Sequence, residues 1–273
     1  FPRLAALAEV AWTQPWHKNW RSFLVAMDKF NEHLSAKGIV FACSMYNIQH
    51  TVTPVNGKLQ VRLECERPDV EIRYTVDGKE PTDRSLLYKN PLMVTDTQTI
   101  KCATYRAGRQ MGKILTLPLA WNKATAKPVL GNKQAGKILV NGIRGSLRQS
   151  DFEWHSWESS DSVAFTIDLQ KKESLRSVSV GCITNYGMAA HKPADIEVWV
   201  SNDNRDYRKV SGKQFTDGEI FREGTFKEDV VLDLNKEIGR YVRIIAKGAE
   251  ECPATHVRPG QEARIYFDEV MIE

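Results

Sequence analysis

The sequence lacks the features that identify two easily recognised classes of protein. No apolar run approaches the roughly 20 residues that a membrane-spanning helix needs. The 38 lysines and arginines exceed the 34 aspartates and glutamates by only four. These basic residues are scattered, whereas a nucleic-acid-binding domain usually concentrates them on one face. The composition therefore favours neither a membrane span in this segment nor a nucleic-acid partner.

Cysteine motifs are also missing. The five cysteines form no CxxC pair and no Cys/His arrangement with the usual zinc spacing. Cys65, Cys102 and Cys182 lie in strand-like alternation, where a free thiol packs as a small hydrophobe. An odd number of cysteines does not describe a disulfide scaffold, although the sequence leaves a Cys65–Cys102 bridge open.

Residues 1–42 predict two helices. In the second helix, apolar side chains recur at helical spacing from Trp20 to Leu34. Asn19 can cap its start, and Gly38 stands where a left-handed residue ends a helix. Two helices cannot bury so wide an apolar stripe by themselves. We therefore expect this segment to be the edge of a larger domain, and the chain to be a fragment of a longer protein.

The pattern changes to short strands from about residue 49 to residue 121. Segments 58–65 and 71–76 alternate with period two, and Asp77-Gly78 is a strong turn signal. Further strands are expected at 99–105 and 112–119. About seven short strands in such a segment predict a small sandwich of the fibronectin kind.

A polar, lysine-rich stretch at 122–137 is typical of a linker or of an irregular opening strand, and the rest of the chain is again strand-like. In the last strand Ile265 and Phe267 share one phase, whereas Val270 and Ile272 have the other. A change of phase turns side chains to the opposite face unless a bulge absorbs it. The sequence therefore predicts a bulge near Asp268-Glu269.

The sequences of the N-terminal segment and of the first predicted sandwich resemble those of a known family. Segments 1–13 (FPRLAALAEVAWT) and 38–41 (GIVF) resemble the closing helices of glycoside hydrolase family 20, the β-N-acetylhexosaminidases or chitobiases, whose catalytic domain is a (β/α)₈ barrel. Segments 72–82 (IRYTVDGKEPT) and 87–92 (LYKNPL) resemble the sandwich that follows that barrel in many chitobiases. The resemblance implies a structural spacer for this sandwich.

Six short segments of the last module resemble the discoidin, or coagulation factor 5/8 type C, family. This family includes the family 32 carbohydrate-binding modules. The six segments are 139–142 (LVNG), 165–169 (FTIDL), 192–198 (KPADIEV), 200–203 (VSND), 240–243 (RYVR) and 267–272 (FDEVMI). The resemblance implies a jelly-roll β-sandwich whose loops at one end bind ligands.

These features predict a mainly β fold class. Two β-sandwich domains, an immunoglobulin/fibronectin-like one and a discoidin-like jelly roll, are preceded by terminal helices of a truncated (β/α)₈ barrel. The expected boundaries are 1–44 for the barrel helices, 45–124 for the first sandwich and 125–273 for the second.

Hydrolysis is not expected of this segment alone. Family 20 enzymes use an adjacent Asp-Glu pair with help from the substrate's acetamido group, outside the usual two-carboxylate scheme. The chain contains Asp268-Glu269, but this pair lies on the last strand of the discoidin-like module, after the barrel has ended. We therefore assign no catalytic residue and expect the segment to be inactive by itself, whereas the parent protein is expected to be an enzyme.

Carbohydrate binding is the chemistry that the discoidin resemblance implies. Such sites stack an aromatic ring on the apolar face of a sugar and use a few polar groups to contact its hydroxyls. Loop positions that match this chemistry include Tyr186 and His256. Trp154 and Trp157 also match, but the alternative is that one of these two tryptophans fills the end of the core. His191 alternatively belongs to a loop that only leads into the next strand. The candidate contacts are Trp154, His155, Trp157, Asn185, Tyr186, His191, His256 and Arg258.

The same resemblance implies a structural Ca²⁺, a hard cation that takes six to eight oxygen ligands. The matching positions are Asn141 with its loop carbonyls and Glu269. Asn141 stands where the family's usual ligand is Asp, so one negative charge is missing. The alternative is that Asn141-Gly142 is a tight turn and that Glu269 caps the bulge.

The resemblances together imply a non-catalytic C-terminal region of a β-N-acetylhexosaminidase-like glycoside hydrolase. It would contribute spacing and carbohydrate binding, while the parent removes terminal N-acetylhexosamine from glycans. The expected partners are glycans ending in galactose or N-acetylhexosamine and the upstream catalytic barrel. The expected location is exported, periplasmic or at the cell surface. The alternative is a structural or protein-interaction module that braces the barrel without binding sugar.

Overall fold

The computed structural model describes residues 2–158 and 163–273. Phe1, the first letter of the N-terminal motif, lies outside them. The chain divides into two compact units. The first contains the N-terminal residues up to His50, Leu63–Lys89 and Ile100–Thr116, and the second contains Thr51–Arg62, Asn90–Thr99 and Leu117–Glu273. Both units take segments from the range 45–124, so the three domain boundaries stay a prediction.

The two predicted N-terminal helices are present, as α1 Pro2–Trp12 and α2 Trp20–Ala36. A short third helix, α3 Asp217–Ile220, was not predicted. At the start of α2 the side chain of Asn19 accepts a hydrogen bond from the Ser22 amide (3.0 Å), and beyond its end Gly38 has a φ of 67°. Leu24, Met27 and Leu34 of α2 are buried. Within the described residues, no helix combines the length and the apolar character needed to cross a membrane.

The middle of the chain forms eight strands. They are β1 Ile48–Val55, β2 Lys58–Cys65, β3 Glu71–Thr75, β4 Leu86–Leu87, β5 Leu92–Val94, β6 Gln98–Arg106, β7 Arg109–Gln110 and β8 Leu115–Leu119. One sheet has the order β1-β2-β5, and another has the order β4-β3-β6-β7 with β8 added to β6. The predicted turn is present, since Gly78 has a φ of 77° and the Lys79 amide donates to Asp77 Oδ1 (3.2 Å).

A charged network in the first unit was not foreseen from the sequence. Arg67 is buried and donates to both oxygens of Asp69 (2.8 and 2.6 Å) and to Asp28 Oδ2 on α2 (2.7 Å). Arg106 on β6 donates to the same two carboxylates (3.0 and 2.8 Å). Tyr46 donates its hydroxyl to Asp28 (2.8 Å). The network thus links the helix to the strands of this unit.

The second unit contains the remaining eight strands. They are β9 Val129–Leu130, β10 His155–Glu158, β11 Val163–Asn185, β12 Ala190–His191, β13 Asp195–Ser201, β14 Arg208–Gln214, β15 Thr225–Lys247 and β16 Arg264–Ile272. They form a sheet with the order β10-β16-β12-β11-β15-β13-β14, in which β9 also pairs with β11 and β16 with β11.

The two long strands build both layers of a sandwich. β11 and β15 pair along their length, and their register shifts between Asp168 and Glu173. Gln170 has a positive φ there, which lets the chain turn a corner. The first half of β11 lies beside β9 and β15, and its second half lies beside β15 and β16. The core between the layers includes Phe165 and Val270.

The predicted bulge is confirmed. Val180 on β11 is opposite Val270, whereas Cys182, two residues further along, is opposite Phe267, three residues back. The extra residue therefore falls at Asp268-Glu269 and absorbs the change of phase in β16. With these β-sheets and the N-terminal helices, the mainly β fold class is also confirmed. All five cysteines are free thiols, so Cys65 and Cys102 are not bridged.

Candidate functional site

Three loops of the second unit meet and carry most of the predicted ligand contacts. They are residues 146–154, 185–191 and 252–261, which we call the loop cluster. The Asn185 side chain donates to Gln149 Oε1 (2.9 Å). The Tyr186 hydroxyl donates to the Thr255 carbonyl (3.4 Å). Arg258 contacts the Met188 sulfur through Nη2 (3.7 Å). The structure thus brings Asn185, Tyr186 and Arg258 together.

Two histidines lie buried within the loop cluster. The Tyr186 ring centroid is 3.9 Å from that of His256 and 6.2 Å from that of His191. Phe221 completes the group, with its ring 4.9 Å from His191. Tyr186 is half-buried, whereas both histidines are buried. The imidazoles therefore lie below the surface.

Hydrogen bonds define the protonation of the two histidines. His191 Nδ1 lies 3.1 Å from the Ile220 carbonyl, so it carries the proton and donates. His256 Nδ1 accepts from the Arg258 amide (3.0 Å), so its proton lies on Nε2. Burial, with the nearby His256 ring, lowers the pKa of His191 to about 4. Burial also lowers the pKa of His256, so both rings are neutral near pH 7. Among the described residues, neither Nε2 atom has a hydrogen-bond partner.

The exposed apolar surface of the loop cluster includes a residue that the sequence analysis did not select. Phe152 is 94% exposed, and Met188 and Val257 are also exposed. Phe152 lies two residues before Trp154, in the same aromatic run. The sequence contains no pattern that predicts that Phe152 faces solvent while Trp154 faces the interior.

The structure places Trp154 in the interior, which favours its alternative role as a plug of the core over sugar stacking. Only 6% of Trp154 is exposed, and its indole Nε1 donates to the Ser146 carbonyl (3.0 Å). A Cβ atom added to Gly145 would lie 2.3 Å from Trp154 Cε2, so the ring is packed against that glycine. Trp154 therefore holds the 146–154 loop and presents no free ring face.

His155 and Trp157 lie on β10, away from the other candidates. β10 and β12 flank opposite edges of β16, where Ile265 is paired with both Trp157 and His191. The Trp157 ring stacks on Phe165 with centroids 6.2 Å apart, and His155 contacts the Trp157 ring edge-on (4.4 Å). Burial lowers the pKa of His155. This pair packs on the core and does not join the loop cluster.

The predicted calcium ligands are adjacent. Glu269 Oε2 accepts the Gly142 amide (3.0 Å), and Asn141 Oδ1 accepts the Ile143 amide (2.9 Å). Glu269 is fully buried, and burial raises the pKa of its carboxyl well above the usual value. Its other oxygen, Oε1, has no hydrogen-bond partner among the described residues. A buried carboxylate oxygen beside a turn fits a hard cation. Gly142, with a φ of 74°, equally fits a tight turn, so the calcium ligands stay a prediction.

The neighbouring Asp268 is held by structural contacts. Its Oδ2 atom accepts from Arg144 Nε and from the Gly145 amide, both at 2.9 Å. Arg144 also pairs with Asp229. A Cβ atom at Gly181 would lie 1.9 Å from Asp268 Oδ1, so only glycine fits there. Asp268 therefore connects β16 to the loop that contains Arg144 and Gly145.

Two family models match separate parts of the chain. Residues 53–116 match the chitobiase/beta-hexosaminidase C-terminal domain, and residues 124–258 match the F5/8 type C domain. The resemblances to the post-barrel sandwich and to the discoidin family are thereby confirmed over these residues.

The chain is also similar to individual known proteins. A beta-hexosaminidase of Porphyromonas gingivalis (strain ATCC BAA-308 / W83) is 30% identical over 122 residues, which are 42% of this chain and 15% of that protein. The chain therefore corresponds to a small part of this relative.

Similar solved structures include a fucose binding module of Streptococcus pneumoniae. It is 18% identical and covers 56% of this chain and 94% of its own, with a TM-score of 0.36. The C-terminal domain of a chitobiase from Bacteroides fragilis is 14% identical and covers 48% and 76%, with a TM-score of 0.28. A Clostridium perfringens module, CpGH89CBM32-5, in complex with GalNAc-beta-1,3-galactose, is 17% identical and covers 52% and 86%, with a TM-score of 0.33.

Proposed function

We propose that this chain is a non-catalytic C-terminal region of a β-N-acetylhexosaminidase-like glycoside hydrolase, and that its loop cluster binds carbohydrate. The observation that carries the proposal is the meeting of exposed apolar groups with polar side chains at Asn185, Tyr186 and Arg258. The matches to the two family models support the same function.

The chemistry of the loop cluster suits a sugar ring. Phe152 and Tyr186 offer aromatic surface that can pack against the C–H face of a pyranose. Arg258 has a guanidinium whose Nη2 donates to the Met188 sulfur (3.7 Å), and a thioether is a weak acceptor. This N–H group is therefore available to a sugar hydroxyl. Asn185 supplies an amide beside it.

The proposed ligands are glycans that end in galactose or N-acetylhexosamine. Binding them would raise the local concentration of substrate for a catalytic barrel in the same protein, which would remove terminal N-acetylhexosamine. Such a protein would act outside the cytoplasm, as an exported protein in the periplasm or at the cell surface. Its role would therefore be in carbohydrate metabolism, with glycans as the substrates.

We propose that the upstream barrel packs on the N-terminal helices. The outward side chains of this segment are large and apolar, which is unusual for a solvent-facing surface. They include Leu4, Leu7, Val10, Trp12 and Trp16, all more than half exposed. A barrel of the resembling family would cover them.

The alternative is a structural or protein-interaction module. It is favoured by one observation, the packing of both Trp154 and Trp157 against the protein itself. Under this alternative the loop cluster contacts no sugar, and the module braces the barrel.

A glycan array with the full chain distinguishes the two functions. We expect binding to glycans with terminal galactose or N-acetylhexosamine. Phe152→Ala and Tyr186→Ala should each weaken it by about tenfold, which is roughly 1.4 kcal/mol. Ile238→Ala removes an exposed apolar side chain outside the loop cluster and should leave binding unchanged. A folded chain that binds no glycan would support the structural alternative.

A further inference from the structure

We propose that His191, Cys252 and His256 form a binding site for a zinc ion. One ring nitrogen of each histidine and the Cys252 sulfur all lie within 4.8 Å of one another. All three side chains are buried. The site is distinct from the calcium position and does not depend on carbohydrate binding.

The spacing of the three atoms is close to that of a zinc site. With Zn–N bonds of about 2.0–2.1 Å and a Zn–S bond of about 2.3 Å, the two nitrogens and one sulfur of a tetrahedral site lie roughly 3.3–3.6 Å apart. The group therefore needs to contract by about 1 Å at its longest separation.

The unmet hydrogen bonds of the histidines point to a ligand. Among the described residues, His191 Nε2 and His256 Nε2 are both buried without a partner, although buried polar atoms almost always have one. The Ile220 carbonyl accepts from His191 Nδ1, which leaves a lone pair on Nε2. Metal-binding histidines commonly have such a second hydrogen bond, because it fixes the ring and its tautomer.

Two elements of the second unit carry the three ligands. His191 lies on β12, which pairs with β16. Cys252 and His256 lie in a loop closed by two backbone hydrogen bonds, from the Cys252 amide to the Gln261 carbonyl and from the Gly260 amide to the Cys252 carbonyl, both 2.9 Å. A bound ion would clip this loop to the strand.

Metal binding changes one contact of His256. A neutral imidazole that binds through Nε2 must carry its proton on Nδ1, the atom that now accepts the Arg258 amide. This hydrogen bond therefore breaks when the ion binds. Cys252 changes as well: its thiol loses the proton to solvent, and the thiolate sulfur forms the bond to the metal.

The ligand types select zinc over harder cations. Two imidazoles and a thiolate suit zinc and related late transition metals, whereas calcium and magnesium prefer oxygen. Within the described part of the chain, the group contains three such ligands, which leaves a fourth position for water. Phe221, Ala189 and Ala263 pack around Cys252 and limit the access of bulk solvent.

Cobalt(II) is the probe for the experiment, because it replaces zinc and absorbs light when a thiolate binds it. The full chain is unfolded in denaturant with a chelator and refolded with CoCl₂, so that burial does not block entry. We expect one equivalent of cobalt to give thiolate-to-metal absorption, which ZnCl₂ then removes. Zinc should also raise the melting temperature of the folded chain.

Variants locate the site and guard against misfolding. Cys252→Ser is nearly isosteric and should abolish the thiolate absorption, and His256→Gln should weaken cobalt binding at least tenfold. Cys65→Ser removes a free thiol of the first unit and should change neither result. Circular dichroism verifies that each variant folds. The proposal is overturned if the folded wild type shows no thiolate absorption, or if Cys252→Ser keeps it.

Discussion

At the scale of single residues, Trp154 is the residue whose role changed most. Its ring packs on Gly145 and its N–H group is hydrogen-bonded to Ser146. The sequence could identify an aromatic run but could not tell which ring faces inward, because the run precedes a strand and has no clear period. Its neighbour Phe152 faces outward.

Trp154→Ala should therefore reduce stability. We expect a loss of about 3–5 kcal/mol in the free energy of unfolding, as for other large-to-small changes of buried aromatic residues. Denaturant unfolding of the full chain, followed by circular dichroism, measures it. Trp12→Ala, a change at a residue that is 88% exposed, should alter stability by at most about 0.5 kcal/mol. A fully stable Trp154→Ala chain that has lost glycan binding would restore the sugar-stacking role.

The cluster of His191, Cys252 and His256 shows another limit of sequence reasoning. Residues Cys252 and His256 are four apart, a spacing too common to predict a metal site alone. His191 joins them only because β12 pairs with β16, which is a non-local contact. The sequence contained the ligands, but their meeting depends on strand order.

At the scale of elements, patterns within one segment predicted the structure best. The capped helix α2 followed from its apolar spacing, and the bulge in β16 followed from its change of phase. The network of Arg67 and Arg106 did not, because its members come from α2, the turn before β1, the turn between β2 and β3, and the end of β6. Period and turn chemistry are local, whereas such ion pairs depend on tertiary packing.

The Arg67 network should stabilise the first unit. Arg67→Met removes the buried partner of Asp28 and Asp69 but leaves both paired with Arg106, and should cost about 1–3 kcal/mol in the free energy of unfolding. Arg73→Met provides the matched control. Its partner Glu71 is largely exposed, so the loss should be about 0–1 kcal/mol. Equal losses in the two variants would contradict a special role for the network.

The same network predicts a dependence on pH. Hydrogen bonds from Arg67 and then Arg106 hold the pKa of Asp69 below its usual range. A carboxyl with a depressed folded-state pKa contributes stability above its unfolded pKa, near 4, and loses it as the pH falls. Acid should therefore destabilise the wild type more than Arg67→Met. Denaturant unfolding of both chains between about pH 6 and pH 3 measures how steeply the free energy of unfolding falls with pH. Equal slopes for the wild type and Arg67→Met would contradict the linkage.

At the scale of the whole molecule, the chain folds its second sandwich by joining distant segments. Glu269 accepts the amide of Gly142, 127 residues earlier, and Asp268 binds Arg144 and Gly145 nearby. The first loop and the last strand of the module are therefore fixed together at one place. An ion bound there would stabilise the entire sandwich, because unfolding any layer would release these contacts.

Calcium should accordingly raise the melting temperature of the full chain if Asn141 and Glu269 are its ligands. Calcium that binds only the folded state adds about 2.7 kcal/mol at a concentration 100 times its Kd. Glu269→Gln keeps the shape of the side chain but removes the negative charge, so its melting temperature should not respond to CaCl₂. Glu219→Gln, at an exposed carboxylate on α3, is the control and should respond like the wild type. A wild-type chain that melts at the same temperature with CaCl₂ and with a chelator would favour the tight turn at Asn141-Gly142 over a metal site.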